Sequence, residues 1–146
     1  MKSYRKYRQN IFSSYYQLAR QYPRLTRKEE RKLLRRIRKG DGASRQKLLL
    51  HLTGFFLYRI ITTVYGQVLI DHGEDIIQDC QILANQRVGF YKLWYKNKDG
   101  IFVSYGFTTY LWKYVTGIMM KHIKDACRMV RYDDEERFTD DFKTNE

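Results

Sequence analysis

Proline is almost absent from this chain of 146 residues: Pro23 stands alone. Cysteine is scarce too. Cys80 and Cys127 are too few for the disulfide framework of a small secreted scaffold, and both are expected to be reduced, buried thiols. No run of roughly eighteen apolar residues occurs, so no membrane span is expected. The basic start is not followed by an apolar signal core, so nothing directs secretion. Three histidines, His51, His72 and His122, are scattered, and His122 with Cys127 makes no complete zinc ligand set. There is no Gly-rich phosphate loop and no Ser/His/Asp spacing. The expectation is an intracellular protein that is not an enzyme and uses no cofactor and no metal.

What is present suffices for one compact domain, since a chain of this length buries roughly 70% of its unfolded surface. The formal charge of +12 is unevenly spread. Residues 1–50 hold 16 Lys and Arg against Glu29, Glu30 and Asp41, whereas residues 133–146 hold seven acids against Arg137 and Lys143. A basic body suits a polyanion, and an acidic tail suits a protein partner. A merely solvated surface is the plain alternative.

The pattern predicts an all-α fold. Thr26 and Glu29 read as a capping box, followed by an apolar stripe of Leu33, Leu34 and Ile37. Gly40 closes that helix and Asp41 caps the next. A second helix is predicted from Ala43 to about Tyr65, with Leu48, Leu52, Phe55, Phe56, Ile60 and Val64 at helical spacing. Residues 66–73 read as a connection. A third helix follows from Glu74 to about Leu93, with Glu74 and Asp75 in its first turn. Residues 97–100 form a turn, and a fourth helix runs from Phe107 to about Met129. No clean alternation predicts a sheet. Residues 1–14 are assigned to a basic arm, residues 15–130 to the helical domain and residues 131–146 to a mobile acidic tail.

Residues 91–114 crowd nine rings beside Lys92, Lys96, Lys98 and Lys113. The rings are Tyr91, Trp94, Tyr95, Phe102, Tyr105, Phe107, Tyr110, Trp112 and Tyr114. A dry core and a base-stacking surface both account for them, and on a helix from Phe107 about half must face inward.

Three stretches resemble the primary-type bacterial sigma factors. "YYQLARQYPRLTRKEERKLLRRIRKGDGASRQKLL", residues 15–49, is similar to the segment that precedes region 2 of that family. "GEDIIQDC", residues 73–80, resembles the signature of the helix that binds the RNA polymerase clamp. "FTTY", residues 107–110, resembles the Phe-Ser-Thr-Tyr of the helix that reads the −10 element. The three occur in the family's order and together cover about residues 15–130. The resemblance implies a helical region 2 module that docks on the clamp coiled coil of RNA polymerase and holds the melted −10 promoter strand. It implies polymerase contacts at Asp75, Gln78, Asp79 and Gln81. For DNA it implies Trp94, Tyr95, Lys98, Phe107, Thr108, Thr109, Tyr110, Trp112, Lys113, Tyr114 and Lys121. It implies the cytoplasm of a bacterium or of a phage-infected bacterial cell, and no membrane partner.

The chain also departs from the family. Lys113-Tyr114 stands where a Trp-Trp pair is usual, Thr116 and Gly117 replace an Arg and a Gln, and the loop before "FTTY" is longer. No helix-turn-helix that reads the −35 element follows Val130. A second protein is expected to supply the missing upstream DNA contact through effective concentration. The tail, with Phe138 and Phe142 among acids, loosely resembles the clamp-contacting tail of phage late sigma factors. Two other readings stay open: a sigma mimic that occupies the polymerase and inhibits or redirects the host sigma, and a generic basic helical nucleic-acid binder.

Overall fold

The computed structural model describes the backbone of residues 12–144 and the side chains of residues 12–128. Its elements are α1 (Ser13–Gln21), α2 (Arg27–Arg38), α3 (Gly42–His51), α4 (Thr53–Thr63), α5 (Gly66–Arg87), a hairpin of β1 (Tyr95–Lys96) and β2 (Phe102–Val103), and α6 (Phe107–Thr144). The all-α expectation holds apart from that hairpin.

Local chemistry sets the first boundaries. Thr26 Oγ1 accepts from the Glu29 N–H at 3.3 Å, and Glu29 Oε2 accepts in return from the Thr26 N–H at 3.3 Å, so the capping box is complete. Gly40 leaves α2 at φ +91°, a region that glycine enters without Cβ strain. Asp41 then caps α3, accepting from the N–H groups of Ala43 and Ser44 and from Ser44 Oγ at 2.7 Å. Those bonds to the charged form, led by the Ser44 hydroxyl, hold its carboxyl below the ordinary value.

Several expectations are corrected by packing. The helix predicted from Ala43 to Tyr65 is bent into α3 and α4 at Leu52, where Thr53 and Gly54 are poor helix formers. Gly54 faces the Ala19 methyl, which lets α1 lie close on α4. Residues 66–73 are not a connection: α5 already starts at Gly66, whose φ of +60° makes the turn, and Leu69 is buried. Glu74 and Asp75 therefore lie mid-helix rather than in a first turn. The same helix stops at Arg87 instead of about Leu93. Gly73, the last residue of that expected connection, is a socket inside α5. A Cβ there would stand 2.7 Å from Phe12 Cζ, and the Phe12 ring is wholly buried against it. Phe12 belongs to the core and Ser13 and Ser14 to α1, so the basic arm is shorter than 1–14. The arm's residues 1–11 lie outside the described residues.

Along its one long side α6 packs on α5, and α4 packs on α1, α5 and α6. Phe56, Ile60, Leu69, Ile76, Ile77, Cys80, Phe107, Leu111, Val115 and Met119 fill the interior. Each large aliphatic side chain there contributes about 1.5–3 kcal/mol by burial. α2 joins this core through α3, with Leu33, Leu34 and Ile37 turned inward. Backbone helix continues to Thr144, so the acidic segment prolongs α6 rather than forming a separate non-helical tail. The side chains of Phe138 and Phe142 lie outside the described residues. Of the two thiols only Cys80 is buried; Cys127 is exposed, because it falls on the outer side of α6. Burial pushes the Cys80 thiol up to about 12.

Candidate nucleic-acid interface

The start of α6 is fixed by a charge from α2. Glu30 Oε1 accepts the Phe107 N–H at 2.5 Å, a carboxylate at a helix N-terminus, where the backbone dipole favours it. Phe107 itself is fully buried, packed edge-on to Tyr91 at 5.2 Å. It is a core residue, and its assignment as a base-stacking ring is corrected. The helical face that enters the core is set by Phe107, Leu111, Val115 and Met119, and the motif's first ring falls on it.

The next positions diverge around the helix. Thr108, Thr109 and Trp112 open onto a cleft of about 360 Å³. Its other walls are Tyr22, Arg24 and Leu25 from the α1–α2 connection, Glu30, His51, and Phe55 and Tyr58 of α4. His51 donates from Nδ1 to the Pro23 carbonyl at 2.7 Å, which ties that connection to α3. Trp112 is 48% exposed, with its ring 6.1 Å from that of Phe55. Tyr110 and Tyr114 take the opposite flank. Tyr110 packs among Tyr91, Tyr105 and Tyr114, and the Arg87 guanidinium sits 4.2 Å from the Tyr114 ring. Burial raises the Tyr110 hydroxyl above its ordinary value. Tyr110 and Trp112 thus do not share one surface. Lys113 and Lys121 are exposed further along α6.

Arg59 was not anticipated. It is only 7% exposed, its Nη2 donates to the Trp112 carbonyl at 3.2 Å and to Thr116 Oγ1, and its guanidinium lies 3.7 Å from the Trp112 ring centroid. Its buried Nε has no partner. Burial lowers its pKa, yet it remains the cation behind the tryptophan. Its signal in the sequence was a lone Arg inside the apolar run 52–64. Tyr58, exposed beside the cleft, carried no signal in the sequence, since it falls outside the apolar spacing of its helix.

Beyond the cleft stands the hairpin. Asn97 Oδ1 accepts from the N–H groups of Asp99 and Ile101, both at 3.0 Å, and Gly100 turns at φ +78°. Tyr95 pairs with Val103 and Lys96 with Phe102, strands too short to show alternation in the sequence. Trp94 is half exposed beneath the Arg31 guanidinium at 5.1 Å, and Phe102 is 68% exposed with Lys96 5.9 Å from its ring. Tyr95 and Lys98 are exposed as well. Buried Tyr91 secures the hairpin's base by donating to the Tyr105 carbonyl. Burial first, and Glu30 second, push its hydroxyl up to about 12.

Along α5, Asp75, Gln78 and Asp79 are exposed on one stripe. Since α5 begins at Gly66, the ordinary preference of acids for helix starts does not explain them. Gln81 falls off the stripe and is half-buried, so it does not join that face. Ile82, exposed, does join it. Asp79 is already engaged, its Oδ2 accepting from His122 Nε2 at 2.7 Å, while His122 Nδ1 lies 3.3 Å from His72 Nδ1.

Comparison with protein-family models, with curated proteins and with solved structures finds no match to this chain. No helix among the described residues is long and apolar enough to cross a membrane. The functional reading rests on the site's geometry and on the sequence words that lie in it.

Proposed function

We propose that this chain is a sigma-like transcription initiation module. The Asp75–Gln78–Asp79 stripe of α5, with Ile82 as an apolar anchor, docks on the cationic clamp coiled coil of core RNA polymerase. The cleft at Thr108, Thr109 and Trp112 receives an unstacked base of the −10 strand, and the hairpin's Trp94, Tyr95 and Lys98 continue that track. The observation that carries this reading is the cleft. Rings and hydroxyls converge there on a space suited to one planar ligand, Arg24 is among its walls, and the helix that opens it bears "FTTY". Each ring–base stack is worth on the order of 1–3 kcal/mol. Promoter activity from this chain alone is weak, and a second protein bound upstream raises it.

A second reading has its own support. Phe107 is core and Tyr110 and Tyr114 are packed against neighbours, so much of the motif is structural. That favours a mimic which occupies the polymerase and inhibits or redirects the host sigma without holding DNA. Run-off transcription with purified core polymerase, with and without the chain, separates the two. Promoter-dependent transcripts that fall when Trp112 is changed to Ala support the initiation module. Polymerase binding without transcripts, together with loss of host-sigma activity, supports the mimic. No polymerase binding ends both.

A further inference from the structure

We infer that the outward row of α2 is a seat for the phosphate backbone of duplex DNA, distinct from the ring-lined cleft. This rests on the reading that the chain works on DNA, but the row is defined by its own geometry. From Arg27 to Lys39, every position that does not enter the core is cationic except Glu29 and Glu30. Both acids are spent locally, Glu29 in the capping box and Glu30 on the Phe107 N–H. At about 100° per residue the cations cover roughly half the helix circumference.

The inner edge of this half-cylinder is occupied. Arg27 donates to the Ser104 carbonyl at 3.1 Å, Arg31 lies over Trp94, and Arg38 donates to the Tyr91 carbonyl at 3.0 Å. The outer row, Lys28, Lys32, Arg35, Arg36 and Lys39, is exposed, and among the described residues none of the five forms an ion pair. Like charges stand four apart at Lys28 and Lys32, at Lys32 and Arg36, and at Arg35 and Lys39, an arrangement that weakens a helix when left uncompensated. A dense anion relieves that repulsion.

Duplex DNA fits better than other polyanions. The row is straight, runs about 16 Å from Lys28 to Lys39, and is held rigid by the capping box and the glycine stop. Duplex DNA presents a charge about every 1.7 Å of axis, and its neutralisation releases counterions. The row carries no ring, so it offers a single strand nothing to stack on. It carries no apolar side chain, so it has nothing to bury in a lipid surface. Contacts of this kind fix position and carry no sequence information. Lys32 and Arg36 of the row line a shallow hollow that shares Leu25 and His51 with the cleft, so intact duplex on the row and opened strand in the cleft would be neighbours.

The test needs no polymerase. Binding of the purified chain to a short duplex of arbitrary sequence, and to one of its strands, is measured by fluorescence anisotropy across a salt titration. Changing Lys28, Lys32, Arg35 and Lys39 together to Gln should lower the duplex slope of log affinity against log salt by about 3.6, with a much smaller change for the single strand. The pair Lys32→Gln and Arg35→Gln, which perturbs the helix less, should lower it by about 2. Lys124→Gln with Arg128→Gln on α6 is the charge-matched control for that pair. A duplex slope no lower than the control's overturns the proposal, as does an equal fall for single strand. Loss of binding to anionic phospholipid vesicles with the DNA slope unchanged also overturns it and makes the row a membrane contact. A chain that passes this test yet supports no transcription fails the sigma-like reading alone.

Discussion

α2 and α5 are amphipathic helices of one core, and α3 packs on both. Their exposed sides have opposite signs. α2 carries seven Lys and Arg against two acids, whereas α5 has no Lys or Arg before Arg87 and exposes Asp71, Glu74, Asp75 and Asp79. The net charge of +12 is therefore not a uniform coat. It is a strongly cationic side set against a narrow acidic stripe. Such a layout orients a small protein between two unlike partners, because each face repels the other's ligand.

The comparison breaks most sharply on charge reversal. Asp75→Lys with Gln78→Ala should abolish co-purification with core RNA polymerase, leave the helical circular dichroism intact and leave the duplex salt slope unchanged. Unchanged co-purification would remove α5 as a docking face. The next effect concerns what holds each helix in place. Gly73→Ala adds a methyl where Phe12 has no room, at a cost of about 1–3 kcal/mol, against about 1 kcal/mol gained in helix propensity. A net loss of up to about 2 kcal/mol in urea unfolding is expected. A stabilised variant would show that Phe12 does not occupy that seat. α2 depends more on its cap, so Thr26→Ala should cost about 1 kcal/mol, read as a lower denaturant midpoint with unchanged slope.

The smallest effect is absent at neutral pH. Each side has one buried weak acid: Cys80 on α5, and Tyr91, whose carbonyl takes Arg38 from α2. Both are raised to about 12, from ordinary values of 9.0 and 10.0. The neutral forms are favoured in the fold, so their stabilisation is complete below pH 9 and is lost as pH rises from 9 towards 12. Tyr91→Phe should abolish the part of the alkaline loss that begins near pH 10. A thiol reagent at neutral pH should label Cys127 and spare Cys80 until the chain unfolds.

How much was legible divides by range. The capping box at Thr26, the stop at Gly40, the cap at Asp41 and the turn at 97–100 depend on residues within four positions, and each was readable. The start of α5 was not, because Gly66 and Gly73 look alike as punctuation and differ only in that one turns the chain while the other receives a ring from far away. Phe107 and Gln81 went astray for one reason: motif spacing places a residue on a helix but does not say which side enters the core. Arg59 was invisible as a partner of Trp112 because the pair lies across two helices. The divergence of Tyr110 and Trp112 around α6 follows from helical geometry once the buried face is known, and only the fold supplies that face.

The seating of Phe12 on Gly73 also bears on how the chain comes off the ribosome. Phe12 is made about sixty residues before its socket, so its ring has nothing to shelter it until α5 has emerged. A nine-residue α1 does not hold its own shape in water. This helix is therefore secured only after α5 has emerged, and a chaperone that covers one emerging ring would guard the whole assembly.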